Sequence, residues 1–339
     1  MHPESGFTPH AVHSEPMSPA ALRLVADVGG THTRFALAQA GEFLDGPRTL
    51  PTRAFASLAE AAHAYLRECG ARPDEACIAV AGPVDADTVR LTNHDWEFSH
   101  RALAAELGVA RLGVLNDFEA IALALPHLGA TERLAIGGGT ARAGKPLVAL
   151  GPGTGLGVAQ LVPTRDGFQA IATEGGHASI GPANAEELRM IAALLEAGEH
   201  ASRESLLSGP GIERIHRAVC ALRAHTCEAQ SAAQIQQRAV DGTHPCCRES
   251  LEHFCAFLGT AAADQALCCG AQGGVYIAGG IVPRFTDFLR HSRFRARFED
   301  KGPMSAYLRA IPVFVITRSD PGLLGAALAT IDQSQENAA

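Results

Sequence analysis

The sequence predicts an α/β protein made of two similar halves with a cleft between them. Three observations carry this: a hairpin pattern that occurs twice, short apolar runs alternating with helix-spaced segments, and a length suited to two domains. The chain has 339 residues, where one domain takes roughly 100 to 200. An apolar run from Leu22 ends in Asp27-Val28-Gly29-Gly30-Thr31, and a second run follows in which Phe35 and Leu37 alternate with small residues. From Pro146 the same order returns, with Gly151-Pro152-Gly153-Thr154-Gly155-Leu156-Gly157 as the turn. Two strands joined by a tight glycine turn form a hairpin. Setting Thr31 on Thr154 pairs Leu24-Val25-Ala26 with Leu147-Val148-Ala149 and Gly30 with Gly153, so the chain reads as internally duplicated.

The remaining elements follow in order. Residues 1–21 are rich in proline and histidine without apolar periodicity, which predicts a disordered extension. Leu58 to Cys69, Arg101 to Leu107 and Glu119 to Leu125 have helical apolar spacing, while Cys77 to Ala81 and Leu112 to Leu115 read as short buried strands. In the second half, Glu186 to Glu196, Gly211 to Leu222, Ala232 to Val240 and Leu251 to Cys269 read as helices, and Gly274 to Ala278 as a strand ending in Gly279-Gly280. The duplication sets the expected domain limits: a small α/β domain from 22 to 127, completed by 318–339, and a large one from 128 to 317.

Composition excludes several classes. With 47% apolar and 19% charged residues the chain buries a sizeable core, unlike disordered, collagen-like or coiled-coil proteins. A net charge of −8 with no block of like charge argues against nucleic acid or an anionic membrane as partner. No apolar run approaches the roughly 18 residues needed to cross a bilayer, and the N-terminus lacks the order of a secretory signal, so a cytoplasmic protein is expected. The nine cysteines are odd in number, include two adjacent pairs and show no C-x-x-C spacing. They read as reduced thiols, mostly small core residues.

Four local patterns carry chemistry. In each glycine turn the backbone N–H groups can approach an anion and the threonine hydroxyl can donate to it, and Asp27 is placed to hold a metal ion through water. An ordinary hairpin turn explains the first turn equally well; the second, at the same point of a duplicated hairpin, favours two phosphate clamps facing one cleft. Neither fits a Walker A loop or G-x-G-x-x-G. Asn116-Asp117 lies between a strand and a helix, where a carboxylate at a strand exit points into the crevice and can accept a proton, while Asn116 and Glu119 also suit helix capping. Glu174-Gly175-Gly176-His177 is poor helix sequence and reads as a loop whose carboxylate and imidazole suit sugar hydroxyls, although on local grounds alone a loop glutamate and a capping histidine are the favoured account. Glu204 is locally no more than a helix-start carboxylate. Gly279-Gly280 leaves a flat surface against which a planar base can lie, although a plain turn would also use it.

Taken together, DVGGTHTR, TNHDW, NDFEA, GPGTGLG, EGGH, LLSGPG, GGVYIAGGIVPRF, FEDKG and DPGLLG resemble the bacterial glucokinase family of the actin, hexokinase and Hsp70 ATPase superfamily, from about Leu24 to Leu328. The resemblance implies a two-lobed, ribonuclease H-like duplicated fold and ATP-dependent phosphorylation of the glucose 6-hydroxyl. It makes Asp117 the catalytic base and gives Asn116, Asp117, Glu174, His177 and Glu204 to glucose. ATP falls to Ala26, Asp27, Val28, Gly29, Gly30 and Thr31, to Gly153 and Thr154, and on the adenosine side to Gly279 and Gly280. The family often has glycine where this chain has Ala26. A zinc site found in the related repressor–kinase group is not expected, because no cysteine follows His177 until Cys220.

The expected partners are glucose and ATP, with Mg²⁺ as cofactor, and the helix-rich large domain suggests a homodimer. With an ordinary carboxylate pKa near 3.9, Asp117 would be fully ionised at neutral pH. Three rivals remain on the residues alone. One is a kinase of mannose, fructose or an N-acetyl hexosamine; another is a sugar-sensing repressor, for which residues 1–21 offer no helix-turn-helix. The third is a filament or chaperone ATPase, in which the sugar constellation would be pointless.

Overall fold

The computed structural model describes residues 21–331 except 83, 85, 86, 92–95 and 166. The expected N-terminal extension, Thr92 to Asp95 of the TNHDW motif and residues 332–339 thus lie outside the described residues.

The first half holds strands β1 (Arg23–Val28), β2 (His32–Gln39), β3 (Glu42–Phe43), β4 (Arg48–Pro51) and β5 (Glu75–Val80), a two-stranded ribbon of β6 (Thr88–Arg90) and β7 (Glu97–Ser99), and β8 (Arg111–Asn116). Helices α1 (Leu58–Cys69), α2 (His100–Leu107) and α3 (Asp117–Ala124) accompany them. The main sheet runs β3-β2-β1-β5-β8, with β4 also on β2. Within it β1 is antiparallel to β2 and parallel to β5, which is parallel to β8.

The second half supplies β9 (Arg133–Ala135), β10 (Leu147–Pro152), β11 (Leu156–Thr164), β12 (Gly167–Thr173), β13 (Gly274–Ile277) and β14 (Val313–Ile316). Its sheet runs β12-β11-β10-β13-β14-β9. Again the hairpin β10/β11 is antiparallel and β10, β13 and β14 are mutually parallel in series. The duplication read from the two glycine turns therefore extends to strand order and direction. Helices α4 (Ala185–Glu196), α5 (Arg203–Leu206), α6 (Gly209–Leu222), α7 (Ala232–Val240), α8 (Pro245–Cys269), α9 (Thr286–His291), α10 (Phe294–Glu299), α11 (Ser305–Arg309) and α12 (Pro321–Leu328) complete the chain.

Local chemistry explains most boundaries. Ser57 caps α1 by accepting from the Glu60 N–H, and Gly70 at φ 63° closes it in the left-handed conformation that glycine adopts without strain. Helix α8 begins six residues before the expected Leu251, because Pro245 at its first position needs no N–H partner and His244 caps it. It is buried on nearly every side, which is why it shows no amphipathic stripe. Strands β9, β12 and β14 and helices α9 to α11 carried no sequence signal: each is short or lies at a sheet edge, where periodicity has little length in which to appear.

The two halves exchange their closing helices. Helix α3 leaves the first sheet, yet Phe118, Ile121 and Ala122 pack with Leu147, Ala149 and Ala159 of the second sheet. Helix α12 leaves the second sheet and buries Leu323, Ala326 and Ala327 on Val25, Ala36 and Cys77 of the first. The two helices cross so closely that a Cβ on Gly325 would lie 1.7 Å from the Ala120 carbonyl oxygen.

Candidate active site

Strand β8 ends at Asn116, whose side-chain oxygen caps α3 by accepting from the N–H groups of Phe118 (2.9 Å) and Glu119 (3.2 Å). Its amide donates to the Gly82 carbonyl at 3.1 Å, which ties the strand exit to the neighbouring loop. Asp117 is the first residue of the helix, and its Oδ1 accepts from the Phe118 N–H at 2.9 Å. Burial pushes its carboxyl up to about 6; the Phe118 N–H opposes the shift and the negative charges of Asp27 and Glu174 add to it. The expectation of an ordinary carboxylate pKa is therefore corrected, because the strand exit lies where water is scarce.

Asp117 lines a cavity of about 420 Å³ between the halves, together with Asp27, Arg34, Gly153, Gly279 and Gly280. Asp27 stands opposite Arg34 in the β1/β2 register and accepts from its guanidinium at 3.2 Å. Burial raises the Asp27 carboxyl, Arg34 counters this, and the Asp320 charge raises it further. The Asp27 charge acts on Asp117 and the Asp320 charge on Asp27, while Arg34 partners Asp27 and Arg318 pairs with Asp320 at 2.9 Å; carboxylate oxygens such as those of Asp27 and Asp117 suit a hard divalent cation. Across the cavity, a Cβ on Gly151 would fall 2.5 Å from the Ala278 carbonyl carbon, and one on Gly279 would fall 2.4 Å from the Pro152 carbonyl oxygen. Glycine alone lets the second turn and the β13 exit meet this closely, and Gly279 also takes φ 83°.

The other expected nucleotide residues divide in two. Ala26 and Val28 bury their side chains in the first core and so offer only main chain to the turn. Gly29 donates its N–H to the His32 carbonyl at 3.0 Å to close the first turn, with Gly30 beside it, while Thr31 and Thr154 are exposed at the two hairpin tips.

Three of the expected sugar residues, Glu174, His177 and Glu204, belong to segments that meet at the start of β11. Glu204 accepts from the Leu156 N–H at 2.8 Å, and a Cβ on Gly176 would fall 2.1 Å from the Leu156 carbonyl oxygen, so both segments sit on one residue of the hairpin. Arg203 joins them by donating its N–H to the Ala178 carbonyl at 2.8 Å. Glu174 and His177, exposed by 69% and 63%, face each other at 3.8 Å across a single turn of 3₁₀ helix. These three residues stand beside the cavity rather than in its lining.

Sequence reasoning missed Arg34, Asp320 and Phe118. Counting the hairpin register outward from Gly29-Gly30 would have set Arg34 against Asp27; Phe118 and Asp320 stand inside NDFEA and DPGLLG, but nothing local gave either a role. Phe118 lines the cavity and lays its ring against Gly157, where a Cβ would lie 1.9 Å from its Cδ2.

With this geometry described, comparison with known proteins is informative. The Glucokinase family model matches residues 24–333. The chain belongs to the glucokinase family. A glucokinase of Chromobacterium violaceum is 47% identical over 306 residues, covering 90% of this chain and 88% of that protein. The crystal structure of a glucokinase from an Antarctic psychrotroph superposes with a TM-score of 0.84 at 39% identity, covering 91% of this chain and 98% of that one. A Balamuthia mandrillaris glucokinase solved in complex with glucose gives a TM-score of 0.72 at 25% identity, covering 91% and 93%. These similarities go with the two-lobed, duplicated α/β architecture of the family. No helix among the described residues is long and apolar enough to cross a membrane.

Proposed function

We propose that the protein is an ATP-dependent glucokinase, which transfers the γ-phosphoryl group of ATP to the 6-hydroxyl of D-glucose. The products are D-glucose 6-phosphate, ADP and a proton, and the reaction is the entry step of glycolysis. The observation that carries this reading is the Asp117 carboxylate, pushed up to about 6 and lining the cavity together with Gly153 and Gly279-Gly280. Family membership supports it, as does the glucose in the Balamuthia relative.

An alcohol is a weak nucleophile and phosphoryl transfer is mostly positioning and charge neutralisation. Asp117 accepts the 6-hydroxyl proton as the oxygen attacks the γ-phosphorus, and the bond to the leaving β-phosphate oxygen breaks. A base with a pKa just below neutral is ionised at pH 7 yet basic enough to take the proton. Asn116, Glu174, His177 and Glu204 hold the sugar hydroxyls; the turns Ala26 to Thr31 and Gly153-Thr154 hold the phosphates; Gly279 and Gly280 hold the adenosine. When bound, Mg²⁺ would neutralise phosphate charge, and Asp27 is the residue to hold it through water, with Asp117 and Asp320 adding to the negative field. In this reading the small domain is 22–127 with 318–339, the large one is 128–317, and the enzyme is a cytoplasmic homodimer.

Coupled measurement of ADP formation with glucose, mannose, fructose and N-acetylglucosamine tests the reading, and glucose should be strongly preferred. Asp117→Ala should lower kcat by roughly 10² to 10⁴-fold with a smaller effect on sugar affinity. Near-normal turnover in that variant would remove the assignment of the base.

A further inference from the structure

Outside the cleft, His216 and Cys220 of α6 and Cys227 of the loop that follows bring their ligand atoms within 4.8 Å of one another. The two helical residues are one turn apart and both are buried. Ala224 then takes the left-handed conformation at φ 53°, and the His225 N–H bonds to the Cys220 carbonyl at 2.9 Å, which reverses the chain and returns Cys227 toward the helix. A second group, Glu186, Glu249 and His253, also has ligand chemistry. Its place for a cation is taken, because the Arg223 guanidinium bonds both carboxylates.

The histidine is prepared for a metal ion. Ser250 gives its hydroxyl proton to the Cys246 carbonyl at 2.5 Å and lies 3.0 Å from His216 Nδ1, so it can only accept there. The ring proton of neutral His216 therefore sits on Nδ1, and Nε2 presents its lone pair 3.6 Å from Cys220 Sγ. That separation is the one expected between nitrogen and sulfur ligands of a tetrahedral zinc ion, about 3.6 Å from bond lengths near 2.05 and 2.3 Å. The nearest competitor for the lone pair is the Gln230 amide at 3.4 Å, a weak contact that an ion would displace. The Cys246 thiol also neighbours that of Cys220.

We propose that His216, Cys220 and Cys227 form a binding site for a single zinc-class transition-metal ion, which clips the α6–α7 loop to α6 away from the catalytic cleft. Sulfur and imidazole ligands select this class over Mg²⁺. The spacing His-x₃-Cys-x₆-Cys matches no common zinc motif, so the fold, not the sequence pattern, assembles the site.

Cobalt titration of the full chain, stripped of metal and kept reduced, tests the site. One cobalt per chain is expected, with the thiolate charge-transfer absorption and the intense ligand-field bands of a tetrahedral ion, both removed by added zinc. Cys227→Ser, at an exposed residue outside the cavity lining, should weaken binding by at least ~10-fold and keep glucose phosphorylation, while Cys268→Ser, another exposed cysteine, should bind cobalt as the parent does. Ser250→Ala should weaken binding by ~10 to 100-fold without changing the spectrum of the ion once bound. Absence of the charge-transfer band, or equal cobalt affinity in Cys227→Ser, overturns the proposal. So does a Cys220–Cys227 disulfide in the isolated protein whose reduction restores no cobalt binding.

Discussion

Asp117 combines a helix-start position, which lowers a carboxyl pKa through backbone N–H groups, with burial, which raises it, and burial prevails. In the proposed mechanism its ionised form accepts the proton. Activity is therefore present above the raised pKa and lost as pH falls through it. The acid limb of kcat/KM should turn near pH 6, and a limb centred near 4 would contradict the burial argument. The two glutamates proposed to hold the sugar differ in their attachments. Glu204 supports the Leu156 N–H, whereas the partner of Glu174 is the exposed His177 at 3.8 Å. Glu174→Gln and Glu204→Gln should both raise KM for glucose more than for ATP, since a sugar hydroxyl loses a charged partner. Glu204→Ala should in addition lower the melting temperature, because a backbone donor loses its acceptor, and Glu174→Ala should not. Steady-state kinetics and thermal denaturation of the four variants distinguish the two attachments.

At the scale of elements, the proposed base Asp117 is positioned by the packing of its neighbour Phe118, which lines the same cavity. The Phe118 ring fills the space left by the missing side chain of Gly157 on β11, so helix α3 is keyed to the hairpin that bears the second turn. Gly157→Ala would place a Cβ within 2 Å of the ring, at 1.9 Å from Cδ2. The ring must move and the adjacent carboxylate moves with it. A loss of roughly 10²-fold in kcat is expected from a displacement of about 1 Å, with partial recovery in Gly157→Ala/Phe118→Leu. Unchanged kinetics in the single variant would show that α3 adjusts independently of β11.

For the whole molecule, the exchange of α3 and α12 matters most. Each half closes on a helix contributed by the other, so the cleft is backed by a helix crossing that belongs to neither sheet alone. At that crossing Gly325 meets backbone, the Ala120 carbonyl, which has no rotamer with which to yield. Gly325→Ala should cost about 3 kcal/mol or more in chemical denaturation, well above a surface substitution. A loss below about 0.5 kcal/mol would mean that the two helices part easily.

The sequence by itself determined the duplication, both glycine-turn hairpins, the long helices and the strand exit bearing Asn116-Asp117, because each rests on local spacing, capping and turn chemistry. Only the tertiary structure decided the raised carboxyl of Asp117, the pairing of the glutamate segments at Leu156, the Phe118–Gly157 key and the His216, Cys220 and Cys227 cluster. Those depend on distance and water exclusion between segments far apart in the chain, and hydrophobic periodicity carries no record of which remote residue a side chain will meet.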